Sequence, residues 1–141
     1  MTGYRFNTAP ELRVGLGTAR EQGAYCAQLG IKRPLLVTDP GLVTVGLVEP
    51  VRKAMAATCE QVSLFSEVTA DPAGSVVLDA LAALQAGEAD GVVGLGGGSS
   101  MDVAKAIAVL AAGNQTLEEA YGVDQVVGGR LPLILIPTTA G

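Results

Sequence analysis

The chain reads as an α/β protein built on a doubly wound, mainly parallel sheet, and three observations lead there. Short apolar runs at residues 35–38, 62–65, 92–95 and 133–136 alternate with longer stretches whose apolar side chains recur every three or four positions. Hydrophobic residues make up 49% of the chain, charged residues 16% and aromatics 4%, with no Trp, a composition that suits helices packed on buried strands better than a β-sandwich. Each cluster of glycine or polar residues out of keeping with its surroundings follows directly on an apolar run, at the strand ends where such a sheet holds ligands.

Taken in order, residues 4–6 and 12–16 offer two short strands, separated by Ala9-Pro10. Thr18-Ala19-Arg20-Glu21 is a capping box that predicts a helix to about Leu29, stopped by Gly30. Residues 35–38 form a buried strand ending in the turn Asp39-Pro40-Gly41, which puts a carboxylate at the strand's carboxyl end. Residues 42–47 look briefly helical. Glu49-Pro50 restarts a helix with Val51, Ala54, Met55 and Thr58 on its inner face. After the strand at 62–65, Asp71-Pro72 reads as N-cap and first residue of a helix with Val77, Leu78, Leu81 and Leu84 inward, ended by Gly87.

Next come a strand at Val92, Val93 and Leu95, a run of three glycines, and Ser99 as N-cap of an Ala-rich helix with Val103, Ala106, Ile107 and Leu110 inward. Ser99 with Asp102 forms a second capping box. Residues 116–121 are a short helix or turn and 122–130 a polar loop. Residues 133–136 form a last strand between Pro132 and Pro137, and Thr138-Thr139-Ala140-Gly141 closes the sequence.

Length and charge narrow the function classes. At 141 residues the chain is one domain with room for a core. A net charge of −5 and no basic run longer than Lys32-Arg33 exclude a nucleic-acid stripe, so an anionic ligand has to be held by local N–H groups. Cys26 and Cys59 stand far apart with no Cys or His beside them. They indicate neither a metal knuckle nor a disulfide framework, and are read as reduced, half-buried helix residues. No signal core and no apolar span of membrane length is visible, which places the protein in the cytoplasm.

The loop Gly96-Gly97-Gly98-Ser99-Ser100 carries the chemistry. Glycines let backbone approach a ligand without a Cβ in the way, and a helix start offers N–H groups and positive dipole, so strand, loop and helix together suit a phosphate. A plain tight connection needs one glycine rather than three. The spacing is not the common G-x-G-x-x-G fingerprint, because Ser99 stands where the third glycine would fall. Asp39 either accepts from an adenosine ribose, disfavouring a 2′-phosphate and so favouring NAD over NADP, or is an ordinary turn residue. Ser99 and Ser100 can donate to a pyrophosphate. Asp102 and Lys105 are either a surface pair or a ligand contact. Thr138 and Thr139 can hydrogen-bond a phosphate or the nicotinamide end, and Asp71 is an N-cap or a lesser cofactor contact.

With Asp39-Pro40-Gly41, the run from Gly96 to Lys105 and Ile136-Pro137-Thr138-Thr139-Ala140-Gly141 in view, the chain resembles the iron-containing, group III alcohol dehydrogenases. The motifs stand in that family's order, and Tyr121-Gly122-Val123-Asp124 is similar to its connecting segment. The resemblance implies a Rossmann-like, dehydroquinate-synthase-like cofactor domain covering residues 1–141. It further implies an NAD-dependent oxidoreductase that interconverts alcohols and aldehydes or ketones and forms a homodimer, with a divalent metal, iron or zinc, polarising the substrate oxygen. Asp39 then looks like the ribose-binding acid, Gly97, Gly98 and Ser99 like the pyrophosphate loop, and Thr138 and Thr139 like cofactor-contacting threonines. Asp71 stands where many members carry Asn. The family's metal ligands, one Asp and three His, lie in a helical carboxy-terminal domain, and this sequence has no His, so the chain is expected to be an isolated cofactor domain without turnover. Two alternatives remain open: a dehydroquinate-synthase-like or glycerol-1-phosphate-dehydrogenase-like cofactor domain, and a non-catalytic nucleotide-binding module.

Overall fold

The computed structural model describes residues 9–113, 115–121 and 128–139. Among them, four parallel strands lie in the order β2-β1-β3-β4: β1 Pro34–Val37, β2 Ser63–Phe65, β3 Gly91–Gly96 and β4 Leu133–Pro137. Register is set at Leu36 opposite both Leu64 and Val93, and at Leu95 opposite Ile136. The helices are α1 Gln22–Gln28, α2 Pro40–Thr44, α3 Val48–Ala56, α4 Gly74–Ala86 and α5 Gly98–Leu110.

Alternation along the strands sends side chains to two separate cores. Leu35, Val37 and Val92 meet α4 and α5 through Val77, Leu84, Val103 and Ile107. Leu36, Val93 and Leu95 meet α1 and α3 through Cys26, Val51 and Met55. The central strands are thus covered on both faces, which is why they read as unbroken apolar runs. Gly94 lets α5 lie close to the sheet, since a Cβ there would come within 2.8 Å of the Ala104 Cβ.

At the amino-terminal rim, Asp90 ties two strands' entries together: its carboxylate accepts from the backbone N–H of Lys32 at 3.1 Å and of Arg33 at 2.8 Å.

Several local expectations are corrected. Residues 12–16 form no strand: they run irregularly with Leu12, Val14 and Leu16 exposed, while 4–6 lie outside the described residues. Thr18 does not cap. Its hydroxyl donates to the Gly15 carbonyl at 3.1 Å, Gly17 in a left-handed conformation (φ 80°) takes the N-cap place, and a 3-10 turn precedes α1. Asp39 begins α2 rather than a free turn, and on α3 the inner positions are Val48, Val51 and Met55, with Thr58 beyond its end and exposed.

Asp71 takes a left-handed φ of 52°, which short polar side chains tolerate, so α4 starts later with Ala73 as its N-cap; Leu78 faces solvent and Ala80 the core. The second capping box also fails. The backbone is already helical at Gly98, so Gly97 is the N-cap, Ser99 sits inside the helix, and Asp102 pairs with Lys105 at 3.2 Å on the surface. A reciprocal side-chain capping pair forms instead at residues 116–119: Thr116 N–H donates to the Glu119 carboxylate at 2.8 Å, and Glu119 N–H donates to the Thr116 hydroxyl at 3.3 Å. Cys26 is fully buried in α1, and Cys59 lies in a bend beyond α3.

Candidate functional site

The strand order creates the site. From β1 the chain moves outward to β2, then crosses back to β3 and continues to β4 on the other side. The loops leaving β1 and β3 therefore diverge, opening a crevice at the carboxyl ends of the two central strands. Backbone hydrogen bonds extend the ladder into its walls: Thr38 N–H to the Phe65 carbonyl at 2.9 Å, Val68 N–H to Thr38 at 3.3 Å, and Thr138 N–H to Gly96 at 2.9 Å.

The result is a cleft of about 570 Å³ lined by Asp39 to Leu42, residues 68–70, Gly97 to Ser100, Thr138 and Thr139. Seven of the residues singled out from the sequence, Asp39, Gly97, Gly98, Ser99, Ser100, Thr138 and Thr139, thus converge, with Gly96 directly behind the loop. Asp71 does not line this cleft. It borders an adjoining groove of about 490 Å³ with Pro72, Asp102, Lys105 and Tyr121, the two spaces sharing Ser99. Val68, Thr69 and Ala70 are not among the residues the sequence singles out; their position directly after a strand is the available signal.

Asp39 does two things at once. Its Oδ1 accepts from Leu42 N–H at 3.0 Å, capping α2 behind Pro40. Its Oδ2 faces the glycine loop, lying 3.3 Å from where a Cβ on Gly96 would stand. That same Cβ would meet the buried Ser100 Oγ at 2.7 Å, and Gly96 has a φ of 151° that residues with a side chain rarely adopt. Glycine is obligatory at 96 for fit and for conformation.

Gly97 and Gly98 serve a different purpose. A Cβ on Gly98 would meet nothing within 4 Å, so the absent side chain leaves open space instead of relieving a clash. Gly97, extended at φ −80° and ψ −168°, has no side chain to cap α5, whereas α2 is capped by Asp39. The positive end of a 13-residue helix thus faces the cleft with its first N–H groups uncovered by any capping side chain. Thr139 lies across the loop, its Oγ1 3.6 Å from a Cβ on Gly97.

Chemically the arrangement has what is needed to hold an anion that carries a hydroxyl neighbour. Among the described residues no Lys or Arg lines the cleft, so the donors there are N–H and O–H groups, and one carboxylate, Asp39, stands at an edge as an acceptor.

Residues 9–141 match the family described as iron-containing alcohol dehydrogenase. The chain belongs to that family. An NAD-dependent methanol dehydrogenase of Bacillus methanolicus is 35% identical over 136 residues, covering 96% of this chain and 36% of that protein. The solved structure of a 1,3-propanediol oxidoreductase superposes with a TM-score of 0.84 at 31% identity, over 90% of this chain and 33% of its own. A sulfoacetaldehyde reductase from Bifidobacterium kashiwanohense, in complex with NAD+, superposes with a TM-score of 0.83 at 26% identity, over 99% and 37%. The chain thus spans about a third of the length of the iron-containing alcohol dehydrogenase relatives it matches.

Among the described residues the metal in the family's name finds no clustered set of donors. The sequence has no His, and among the described residues no three His, Cys, Asp or Glu side chains gather to hold an ion. No described helix is long and apolar enough to cross a membrane.

Proposed function

We propose that these 141 residues are the NAD-binding domain of a metal-dependent alcohol dehydrogenase that interconverts alcohols and aldehydes or ketones. The observation that carries this reading is the uncapped start of α5, opened by Gly97 and Gly98 into the cleft that Asp39, Thr138 and Thr139 share. Bound NAD would supply the hydride acceptor. The backbone N–H groups of Gly98, Ser99 and Ser100, with the serine hydroxyls, donate to the diphosphate. Asp39 Oδ2 accepts from a ribose hydroxyl, and its charge disfavours a 2′-phosphate. Thr138 and Thr139 hold the ligand from the other side of the loop, and Asp71 flanks the adenosine from the adjoining groove.

The metal, iron or zinc, and its donors belong in this reading to a helical domain supplied by other residues of the intact enzyme, so no step is assigned to them here. The alcohol is recognised there too, and the 141-residue chain alone performs no turnover. A homodimer and a cytoplasmic location complete the proposal, the former supported by exposed Leu12, Val14 and Leu16.

Calorimetric titration with NAD, ADP-ribose and NADP tests the reading. NAD and ADP-ribose are expected to bind competitively and NADP more weakly. Absence of any nucleotide binding would instead favour a non-catalytic assembly module, and alcohol oxidation by this chain would refute the placement of the chemistry elsewhere.

A further inference from the structure

The two cysteines, 33 positions apart in sequence, are brought into one hydrophobic cluster at the end of the sheet opposite the cleft. Cys26 is completely buried on α1, and its carbonyl accepts from Ile31 N–H at 2.8 Å. Cys59, half-buried in the bend after α3, packs on the same apolar cluster, with its Sγ 4.0 Å from the Ile31 carbonyl. The next residue, Glu60, donates its N–H to the Lys32 carbonyl at 2.8 Å, so both cysteines are pinned to one short stretch leading into β1. Each side chain thus stands in the one apolar cluster built with Ile31, Val51 and Met55. Both are free.

We propose that Cys26 and Cys59 form a peroxide-sensitive dithiol pair that closes into a disulfide in the folded chain. The roles differ by exposure. Cys59 is the reachable thiol: its sulfur attacks the peroxide, an S–O bond forms as O–O breaks, and water leaves. Cys26 then attacks the Cys59 sulfenic acid; the S–S bond forms, S–O breaks, and the departing hydroxide takes the Cys26 proton as water. Two thiols and one peroxide give one disulfide and two waters, with sulfur oxidised and peroxide oxygen reduced. Burial suits Cys26 to this second step only, since it is kept from bulk oxidant. Closing a long loop between α1 and the end of α3 restricts the unfolded chain, so the oxidised form is expected to melt on the order of 10 °C higher. Asp39 and the glycine loop lie at the other end of the strands and should not respond.

The test treats the native chain with a small excess of hydrogen peroxide and follows intact mass and free thiols. The expected result is a monomer about 2 Da lighter with both thiols lost, reversed by dithiothreitol, and a raised Tm. Cys26→Ser, checked for native circular dichroism, should leave Cys59 as a sulfenic acid trapped by dimedone, and Cys59→Ser should leave Cys26 unmodified. Oxidation of Cys59 alone in the parent chain, an intermolecular dimer, or a disulfide that forms only in denaturant would overturn the proposal.

Discussion

Substituting Gly98 by alanine separates folding from ligand binding more cleanly than any other change in the cleft. A methyl group at 98 meets no protein atom within 4 Å, and the position is the first of α5, where alanine is a better helix former than glycine. The variant should therefore keep its stability or gain about 0.5–1 kcal/mol, part of it from a less flexible unfolded chain. The same methyl occupies the space through which a diphosphate must come to reach the helix N–H groups. Overfilling a tight contact costs about 1–3 kcal/mol, which corresponds to roughly 5- to 150-fold weaker NAD binding. Gly96→Ala is the contrasting case. Its Cβ would lie 2.7 Å from Ser100 Oγ and 3.3 Å from Asp39 Oδ2 at a φ of 151°, so it should lose about 2–4 kcal/mol of stability before any ligand is added. Urea unfolding and calorimetric NAD titration on the same preparations read both quantities. If Gly98→Ala binds NAD as tightly as the parent, the glycine loop is not where the diphosphate sits.

Four further outcomes are expected. Asp39→Asn keeps an N-cap for α2 while removing the charge, so NADP should gain on NAD by about tenfold with little change in urea midpoint; an unchanged NAD-to-NADP ratio would count against the ribose role. Asp90→Ala strips acceptors from Lys32 and Arg33 N–H and should cost about 1–3 kcal/mol in urea unfolding, whereas a loss below a few tenths would mean water replaces the carboxylate. Thr38 is fully buried with its Oγ1 unpartnered among the described residues, so Thr38→Val should be neutral or stabilise by about 1 kcal/mol; clear destabilisation would reveal a partner for the hydroxyl. Burial, reinforced by Cys59 and Asp90, pushes the Cys26 thiol from 9.0 up to about 12. Above pH 9 the unfolded chain sheds this proton while the folded chain retains it, so stability is full below 9 and falls as pH rises towards 12. Urea midpoints across that range should fall less steeply for Cys26→Ala than for the parent.

At the helix starts, sequence and structure part for one shared cause. Ser99, Asp71 and Thr18 were each read as N-caps because each has a capping side chain shortly before an apolar pattern. In the structure Gly97, Ala73 and Gly17 hold those places. A cap depends on where the backbone first turns helical, and at all three sites the preceding loop decides that. Residues 12–16 failed for another reason: alternating apolar residues make a strand only when a neighbour accepts their hydrogen bonds, and no described strand lies beside them. Read one at a time, the cysteines give no sign that α1, which carries Cys26, packs on α3, beyond whose end Cys59 lies.

The amino-acid sequence by itself determined what can be settled within one turn of helix or one strand. That covers the apolar runs and their period, the three glycines ahead of a helix, and a carboxylate and two threonines at strand ends. Tertiary structure alone decided which of these meet. The crossover from β2 back to β3 puts Asp39 beside Gly96 at one rim, and the packing of α1 on α3 gathers Cys26 and Cys59 into one cluster at the other. Those distances follow from the order of strands in the sheet, which residues far apart in the chain set together by burying both faces of β1 and β3.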